Sequence, residues 1–257
     1  MENWTLITGA SEGLGAEFAR IAAKGGRNII LTARSEDKLN MLANDLRAGG
    51  VKVVVIPADL NDLAEVERLW ATAVEGRTID FLVNNAGLGR NGPFVDDGWE
   101  RELASINVNI LALTRMMKLA VAHMSETGSG RILNVASTAA FLPGPNMAVY
   151  HATKAYVLSL SEAVAEELRG SRVTITALCP GATATSFFDA ADMHDVRILK
   201  MGLVGDAHQV AKAGWAKALG GGRISVPGLV NKIFAFFPRV APRSLVTWST
   251  KIIMGKS

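Results

Sequence analysis

The segment that decides the fold stands near the start of the chain: Thr5-Leu6-Ile7-Thr8-Gly9-Ala10-Ser11-Glu12-Gly13-Leu14-Gly15. Its apolar opening predicts a strand, and an amphipathic stretch with Phe18, Ile21 and Ala22 follows the glycines. A strand, a glycine-rich turn and a helix in this order favour phosphate binding, because glycines permit close backbone approach and a helix N-terminus attracts anions. The spacing G-x-x-x-G-x-G differs from the G-x-G-x-x-G of many nucleotide-binding folds. A glycine-rich turn alone is therefore weak evidence.

Apolar runs alternate with helical patterns along most of the chain. Seven runs predict strands, at residues 5–8, 29–32, 51–56, 81–84, 132–136, 173–178 and 223–226. Helical patterns fall near residues 14–24, 36–48, 61–75, 97–124, 148–170 and 206–219. Most of the runs are continuous and β-branched, as expected of parallel strands buried on both faces. The alternation predicts an α/β fold: a single-domain, Rossmann-type, doubly wound parallel sheet of seven strands with helices on both faces.

The composition fits one domain spanning residues 1–257, because 49% of the residues are hydrophobic and suffice for a core on both sheet faces. The most apolar stretch, 110–122, is interrupted by Arg115 and Lys118, so we expect no transmembrane helix. The first strand begins by residue 4, so we expect no signal peptide. Cys179, the only cysteine, excludes an internal disulfide and favours the reducing cytoplasm.

Tyr150 and Lys154 stand four residues apart in a predicted helix, so their side chains share one face. Ser137 precedes the tyrosine by thirteen residues and follows the run 132–136. A free phenol has a pKa of about 10, and a nearby ammonium favours its ionised form. Such a group can move a proton at a carbonyl or hydroxyl oxygen. The Tyr-x-x-x-Lys spacing also occurs by chance on helix surfaces, so it needs support from other motifs.

Further motifs stand in a fixed order: Thr8-Gly9-x-x-x-Gly13-x-Gly15, Asp59-Leu60, Asn84-Asn85-Ala86-Gly87, Asn107, Ser137, Tyr150-x-x-x-Lys154 and Pro180-Gly181. With them the chain resembles the short-chain dehydrogenase/reductase superfamily from residue 4 to about residue 226. The resemblance implies hydride transfer without a metal, in which Tyr150 donates or accepts the proton and Ser137 orients the substrate oxygen. It also implies that Lys154 binds the nicotinamide ribose and tunes the tyrosine, and that Asn107 holds a water of a proton relay.

The cofactor implied by the resemblance is NADP(H) in preference to NAD(H). Arg34 ends the second predicted strand, where an arginine pairs with a ribose 2′-phosphate and an acidic residue would repel it. One departure is Glu12, because many NADP members carry a basic residue there; Ser11 still offers a hydrogen bond. The predicted cofactor-binding residues are Gly9, Ser11, Gly13, Leu14, Gly15, Arg34, Asp59, Leu60, Asn85, Ala86, Gly87, Tyr150, Lys154, Pro180, Gly181, Thr183 and Thr185.

Residues 182–205 form the predicted substrate loop, since the family carries a mobile loop after Pro180-Gly181. Aromatic and aliphatic residues make it apolar: Phe187, Phe188, Met193, Ile198, Leu199 and Met201. These side chains either close over a hydrophobic ligand or pack the loop against the body of the protein. Both interpretations stay open at this point.

Residues 229–257 form a basic, amphipathic C-terminal extension. Eight Lys or Arg and no Asp or Glu follow residue 206, so the net charge of +3 divides into −5 before and +8 after that position. Apolar residues recur at helical spacing in two stretches, at Leu229, Val230, Ile233, Phe234 and Phe237 and at Leu245, Trp248 and Ile252. We expect two short helices that form a substrate lid, a subunit interface or an anionic membrane contact. A lid or interface is favoured, because it removes the stripes from water.

The sequence therefore predicts an NADPH-dependent carbonyl reductase, or the reverse alcohol dehydrogenase, acting on a hydrophobic ketone, aldehyde or acyl substrate. The alternative is a catalytically idle NADP-binding sensor or scaffold on the same fold, and the chain is too short for the large substrate domain of a sugar-nucleotide epimerase. We expect a homodimer or homotetramer in the cytoplasm, with peripheral membrane contact through the C-terminal extension as an open alternative. Nucleic acid is not an expected partner, because the basic helices lack a reader motif.

Overall fold

The computed structural model describes residues 2–96, 98–193, 196–197 and 203–255. Within these residues seven strands form one sheet: β1 (Asn3–Thr8), β2 (Asn28–Thr32), β3 (Val53–Val55), β4 (Thr78–Asn84), β5 (Gly130–Val135), β6 (Val173–Leu178) and β7 (Ile224–Ser225). The order across the sheet is β3-β2-β1-β4-β5-β6-β7, and every pairing is parallel. The predicted doubly wound parallel sheet of seven strands is confirmed.

The helices connect successive strands or follow the last one. Their bounds are α1 (Gly13–Lys24), α2 (Glu36–Arg47), α3 (Leu63–Val74), α4 (Trp99–Ile106), α5 (Leu113–Glu126), α6 (Ala148–Glu167), α7 (Phe187–Ala190), α8 (Ala207–Leu219), α9 (Leu229–Phe236) and α10 (Arg243–Met254). Helices α1, α2 and α8 pack on one face of the sheet, and α3, α5 and α6 pack on the other. The core therefore consists of two apolar layers that sandwich the sheet.

The first strand shows why the sheet is buried on both faces. Every residue of β1 after Asn3 is buried. Its alternating side chains enter the two layers, with Ile7 on the side of α1 and Leu6 on the side of α3. Across the first layer, the rings of Phe81 and Trp215 stack with centroids 4.3 Å apart, which attaches α8 to β4. The strand order reverses between β1 and β4, and open parallel sheets bind ligands outside such a reversal.

The long helix predicted for residues 97–124 changes its winding in the middle. After α4, the segment Asn107–Ala112 is π-helical, and α5 then continues to Glu126. A π-helical turn inserts an extra residue per turn and occurs frequently at functional sites. It rotates the side chains that precede it relative to those that follow, which matters for the asparagines at this position.

The C-terminal extension folds as the two predicted helices, α9 and α10, separated by a short 3-10 turn at Phe237–Arg239. Its last residues, 256–257, lie outside the described residues, as do positions 194–195 and 198–202 of the predicted substrate loop. The described part of that loop contains α7, and Phe187 and Phe188 pack with Met193, Val196 and Met254. In the described parts of the chain, no helix is long and apolar enough to cross a bilayer.

Candidate active site

A cavity of about 840 Å³ opens at the carboxyl ends of the strands, at the reversal between β1 and β4. Most of the residues predicted from the sequence line it: Gly9, Ser11, Gly13, Leu14, Arg34, Asp59, Leu60, Asn85, Ala86, Gly87, Ser137, Tyr150, Lys154, Pro180, Gly181, Thr183 and Thr185. The two exceptions are Gly15 and Asn107. The fold therefore brings motifs that are distant in sequence into one space.

The glycine-rich turn forms one end of this cavity. Gly9 and Gly13 have φ angles of +62° and +57°, which side chains rarely tolerate. Gly15 lies away from the cavity, but a Cβ there would overlap the carbonyl oxygen of Gly9, so its role is close packing of α1 on the turn. No side chain caps the N-terminus of α1, because Glu12 at the capping position makes no such bond. The exposed backbone of the turn and the free helix N-terminus fit a dinucleotide pyrophosphate.

The loop after β4 is fixed to the glycine-rich turn by hydrogen bonds. The side-chain amide of Asn85 donates to the carbonyl oxygens of Thr8 and Gly9 at 2.9 and 3.0 Å. The hydroxyl of Thr8 accepts from the backbone N–H groups of Asn85 and Ala86, each at 3.0 Å. Asn85 therefore positions the walls of the cofactor site through its own bonds to the backbone.

Tyr150 lies on the first turn of α6, with its ring against Phe187 at a centroid distance of 5.3 Å. Burial raises the pKa of its phenol to about 12, while a hydrogen bond with Ser137 acts in the opposite direction. Burial is the larger of the two effects, so the pKa of the phenol lies above its ordinary value. The phenol is protonated at neutral pH, which suits a proton donor.

Lys154 is buried one helical turn after the tyrosine, and its ammonium lies 5.8 Å from the centre of the Tyr150 ring. The ammonium donates to the carbonyl oxygen of Val135 at 2.8 Å. Burial lowers the pKa of Lys154 to about 8, with a smaller opposing effect from Cys179. The residue therefore places a positive charge at the floor of the cavity at neutral pH.

Ser137 lies two residues after the end of β5, and its side chain caps the N-terminus of a 3-10 turn at Thr138–Phe141. Its hydroxyl oxygen accepts from the backbone N–H of Ala139 at 3.1 Å. The same oxygen lies 3.5 Å from the carbonyl oxygen of Pro180. The hydroxyl is thereby held beside the Tyr150 phenol, where both can contact one substrate oxygen.

Asn107 is half-buried beside the cavity but is not among the residues that line it. Its side-chain amide donates to the side-chain oxygen of Asn61 at 3.1 Å. Asn109, two residues further along the π-helical segment, is fully buried instead. Its side chain bonds the backbone of Leu88 in both directions, each at 2.8 Å, and donates to the hydroxyl of Thr153 at 3.0 Å. A Cβ added to Gly87 would lie 3.1 Å from the Lys154 ammonium and 3.4 Å from the Asn109 oxygen, so these two groups lie close together.

Sequence reasoning missed Asn109, although the chain contains a signal for it. Asn109 shares the helical spacing of the buried residues Leu113, Met116 and Ala120, whereas Asn107 aligns with the exposed Leu111. A polar residue on the buried, apolar face of a helix requires hydrogen-bond partners. The backbone of Leu88, in the loop before α4, provides them for Asn109.

Arg34 follows β2 at the far end of the cavity, beside Lys38 on α2. Lys38 pairs with Glu12 at 2.6 Å, and this hydrogen bond, with a second one from Ser186, holds the pKa of Glu12 below its usual range. Among the described residues, Arg34 itself has no side-chain hydrogen bond or ion pair. The carboxylate of Glu12 is therefore neutralised by the ammonium of Lys38. The guanidinium of Arg34 is available for a ligand.

The opposite end of the cavity is apolar. Its wall includes side chains from four parts of the chain, namely Leu142, Met147, Phe187, Phe188, Met193, Phe234, Ile253 and Met254. His151 also lines the cavity, and its Nδ1 lies 2.8 Å from the carbonyl oxygen of Leu142, which fixes the segment before α6. Two of the wall segments belong to the C-terminal extension. This arrangement gives the cavity a polar end suited to phosphates and an apolar end suited to hydrocarbon.

Cys179 lies just after β6 and is completely buried. Burial raises the pKa of its thiol to about 12. The reactive thiolate form is therefore negligible at neutral pH, which agrees with a packing role.

The family described as short chain dehydrogenase matches residues 3–195. The chain belongs to the short-chain dehydrogenase/reductase family, and the resemblance inferred from the motifs is confirmed. The family match ends before α8, so the basic C-terminal extension lies beyond it.

Two relatives illustrate the similarity in sequence. Ketoacyl reductase HetN from Nostoc sp. is 36% identical over 177 residues, which is 68% of this chain and 62% of the relative. A 7beta-hydroxysteroid dehydrogenase from Collinsella aerofaciens is 34% identical over 183 residues, which is 71% of this chain and 69% of the relative. The aligned part thus spans less than two thirds of the Nostoc protein's length.

Two solved structures share the fold over most of the chain. A short-chain dehydrogenase from Sphingobium yanoikuyae in complex with NADPH has a TM-score of 0.83 at 32% identity, covering 89% of each chain. A short-chain dehydrogenase/reductase from Burkholderia phymatum in complex with NAD has a TM-score of 0.82 at 26% identity, covering 93% of this chain and 92% of its own. The same architecture holds either cofactor, so the choice depends on individual side chains.

Proposed function

We propose that the protein is an NADPH-dependent carbonyl reductase, or the reverse alcohol dehydrogenase, for a hydrophobic ketone, aldehyde or acyl substrate. The observation that carries the proposal is the meeting of Ser137, Tyr150 and Lys154 between a dinucleotide cradle and an apolar chamber. A sensor or scaffold would need the cradle alone. The presence of both the catalytic residues and an apolar chamber therefore favours an enzyme over a sensor or scaffold.

When bound in the cradle, a reduced nicotinamide supplies the hydride that reaches the carbonyl carbon. Ser137 and Tyr150 donate hydrogen bonds to the substrate oxygen and stabilise the negative charge that develops on it. Tyr150 then transfers its phenolic proton to that oxygen. The Lys154 ammonium binds the ribose hydroxyls and stabilises the resulting phenolate. Because Phe187 and the other apolar wall residues exclude water, these hydrogen bonds act in a medium of low dielectric constant.

The preference for NADPH over NADH is supported by the charges around the far end of the cavity. Arg34 is exposed there without an ion-pair partner among the described residues, and its planar guanidinium suits bidentate binding of a phosphate. Lys38 supplies the second positive charge and offsets Glu12. We therefore propose that Lys38 of α2 supplies the second basic group that many NADP members carry in the glycine-rich turn.

The hydrophobic substrate class is supported by the wall residues and by the relatives. The two relatives are named as a ketoacyl reductase and a hydroxysteroid dehydrogenase, and acyl chains and steroids are both large apolar molecules. The direct experiment incubates purified protein and NADPH with ketones, aldehydes and ketoacyl thioesters of increasing chain length and follows NADPH absorbance. Consumption that rises with apolar size would support the proposal. Binding of NADPH without consumption by any of these compounds would instead favour the idle sensor.

We propose Asn109, rather than Asn107, as the residue that holds the water of the proton relay. The Asn109→Ala protein is expected to lose about tenfold or more in kcat, because its side chain organises Leu88 and Thr153 beside the catalytic pair. The matched Asn107→Ala change should leave kcat within about twofold, as is usual for a site outside the core. Steady-state kinetics with circular dichroism as a folding control decide the question. A large loss in Asn107→Ala alone would restore the assignment made from the sequence.

The inner wall of the C-terminal extension is expected to select long apolar substrates. Phe234 lines the cavity, whereas Phe236, two residues along α9, is exposed on the outer side. Phe234→Ala should raise KM for long-chain carbonyl compounds by roughly tenfold, because an aromatic contact is lost, and should change KM for short ones little. Phe236→Ala is the matched control. Equal effects of both changes, or an equal effect on short substrates, would contradict a role of α9 in substrate binding.

We also propose a homodimer or homotetramer in a reducing compartment. Exposed apolar side chains on the adjoining helices α4 and α6 and on the segment between α4 and α5 support association: Leu103, Tyr156 and Leu111. Light scattering of the purified chain measures the assembly directly. The free, buried Cys179 supports the reducing compartment.

A further inference from the structure

The outer side of the C-terminal extension is an apolar surface. Nine large hydrophobic residues between positions 229 and 252 are exposed: Leu229, Val230, Ile233, Phe236, Phe237, Val240, Leu245, Trp248 and Ile252. Leu229 is 75% exposed, Phe236 58% and Trp248 60%, so the largest side chains point away from the body. Ile233 and Phe237 also line the cavity, and we call the other seven residues the outer face. Its concentration of apolar side chains is unusual for a surface that stays in water.

The outer face cannot be buried by a small readjustment of the two helices, because their inner sides are already attached. The side-chain amide of Asn91 donates to the carbonyl oxygen of Met254 at 3.1 Å and holds the end of α10. Asn231 of α9 lies directly against Gly181, where a Cβ would overlap its side chain. Ala235, Val246 and Met254 are buried between the helices and the body. Within the described part of the chain the outer face is uncovered, so we expect a partner from outside the chain to cover it.

The charge of the extension indicates which partner this is. Four exposed basic side chains accompany the outer face: Lys232, Arg239, Arg243 and Lys251. No acidic residue follows Asp206 in the sequence. A twofold contact between copies would bring these like charges together and would cost free energy. An anionic lipid surface offers the opposite charge together with hydrocarbon for the apolar side chains.

We propose that α9 and α10 dock the protein on the surface of an anionic lipid bilayer through the outer face. The helices have 8 and 12 residues, too short to span a bilayer but suited to lie in its interface. The inner sides of the same helices line the apolar end of the cavity. The docked protein therefore holds the wall of this cavity against the lipid. The inference rests on the surface of the extension and does not require the proposed catalytic activity.

The experiment is co-sedimentation of the full chain with vesicles. Vesicles of phosphatidylcholine with about one third phosphatidylglycerol should bind the protein at low salt, whereas pure phosphatidylcholine should bind it at least about tenfold more weakly. High salt should release the protein, because screening weakens the attraction of the basic residues. Failure of the wild-type chain to sediment with anionic vesicles at low salt would overturn the proposal.

Two variants separate the apolar and the charged contributions without touching the cavity lining. Leu229→Ser/Phe236→Ser/Trp248→Ser should reduce vesicle partitioning at least about tenfold, and Lys232→Gln/Lys251→Gln should reduce it by about fivefold per residue. The matched controls are Met41→Ser at an exposed position of α2 and Lys24→Gln/Lys118→Gln at exposed positions of α1 and α5. Equal loss in the controls would overturn the proposal. So would a drop in oligomeric mass by light scattering in the triple variant with vesicle binding unchanged, since the outer face would then join two copies.

Discussion

The Tyr150→Phe protein is expected to reduce carbonyl compounds at least about 100-fold more slowly than the wild type. The substitution removes the phenolic hydroxyl, which is the only proposed donor of the proton, and this loss corresponds to the lower end of general acid–base catalysis. The ring and its packing against Phe187 remain, so the cavity keeps its shape. NADPH binding, measured by fluorescence titration, should therefore change little while kcat falls.

The chain contains a matched control for this experiment, because it has two tyrosines. Tyr156 lies on the same helix but is exposed, and its hydroxyl meets Thr114 at 3.0 Å. Tyr156→Phe removes the same atom from a surface position and should leave kcat within about twofold. Near-normal turnover by a folded Tyr150→Phe protein would eliminate the proposed mechanism.

Arg34→Ala is expected to weaken NADPH binding by about 30-fold and to leave NADH binding nearly unchanged. The lost charge-assisted hydrogen bonds to a 2′-phosphate are worth about 2 kcal/mol, which corresponds to that ratio. Calorimetric titration of both cofactors with wild type and variant measures the effect. Equal losses for the two cofactors would show that Arg34 has a structural role, and tighter binding of NADH by the wild type would reject the NADPH preference.

Lys38 provides a second test of the same site. Lys38→Ala leaves Glu12 without the cation that lies 2.6 Å from it, so an uncompensated carboxylate would face the phosphate. NADPH affinity should fall and NADH affinity should not. The exposed Lys24 of α1 lies outside the cavity lining, and Lys24→Ala is the control for the loss of one charge. A preserved NADPH preference in Lys38→Ala would assign the discrimination to Arg34 alone.

The sheet was predictable from the sequence because its strands are continuous apolar runs. Val173–Leu178 has the predicted bounds, and the other strands differ from prediction by one to three residues at their ends. The last strand gives one example: β7 keeps two of its four predicted residues, which are the two that pair with Ala177 and Leu178 of β6. Backbone pairing with another strand is a tertiary property that a local pattern does not contain.

The site was predictable wherever a glycine turn, a strand end or a helix spacing fixes the position of a side chain. Asn107 does not line the cavity, and the π-helical segment Asn107–Ala112 changes the rotation of the helix there in a way that the sequence pattern does not show. Its neighbour Asn109 points into the protein in its place. The pairing of Lys38 with Glu12 could not be predicted from a local sequence pattern either, because 26 residues separate them in the chain.

The C-terminal extension shows another feature that the sequence pattern does not predict. Its two helices follow from the apolar spacing, but the spacing does not state which side of each helix meets the body. The small and medium residues Ala235, Val246 and Met254 turn inward, while Leu229 and Trp248 turn outward. The favoured prediction was a substrate lid or a subunit interface, and in the single chain the two helices line the cavity on one side and are exposed on the other.

Burial of Cys179 has a practical consequence for spectroscopy. Cys179, the only thiol of the chain, is buried directly after β6, and burial raises its pKa. Alkylating labels at neutral pH should therefore leave it unmodified in the folded protein. A spin label or fluorophore can thus be attached through Trp248→Cys on the natural background, with no cysteine to remove first. The label would report the polarity around one helix of the extension, in solution and on lipid, from a single defined position.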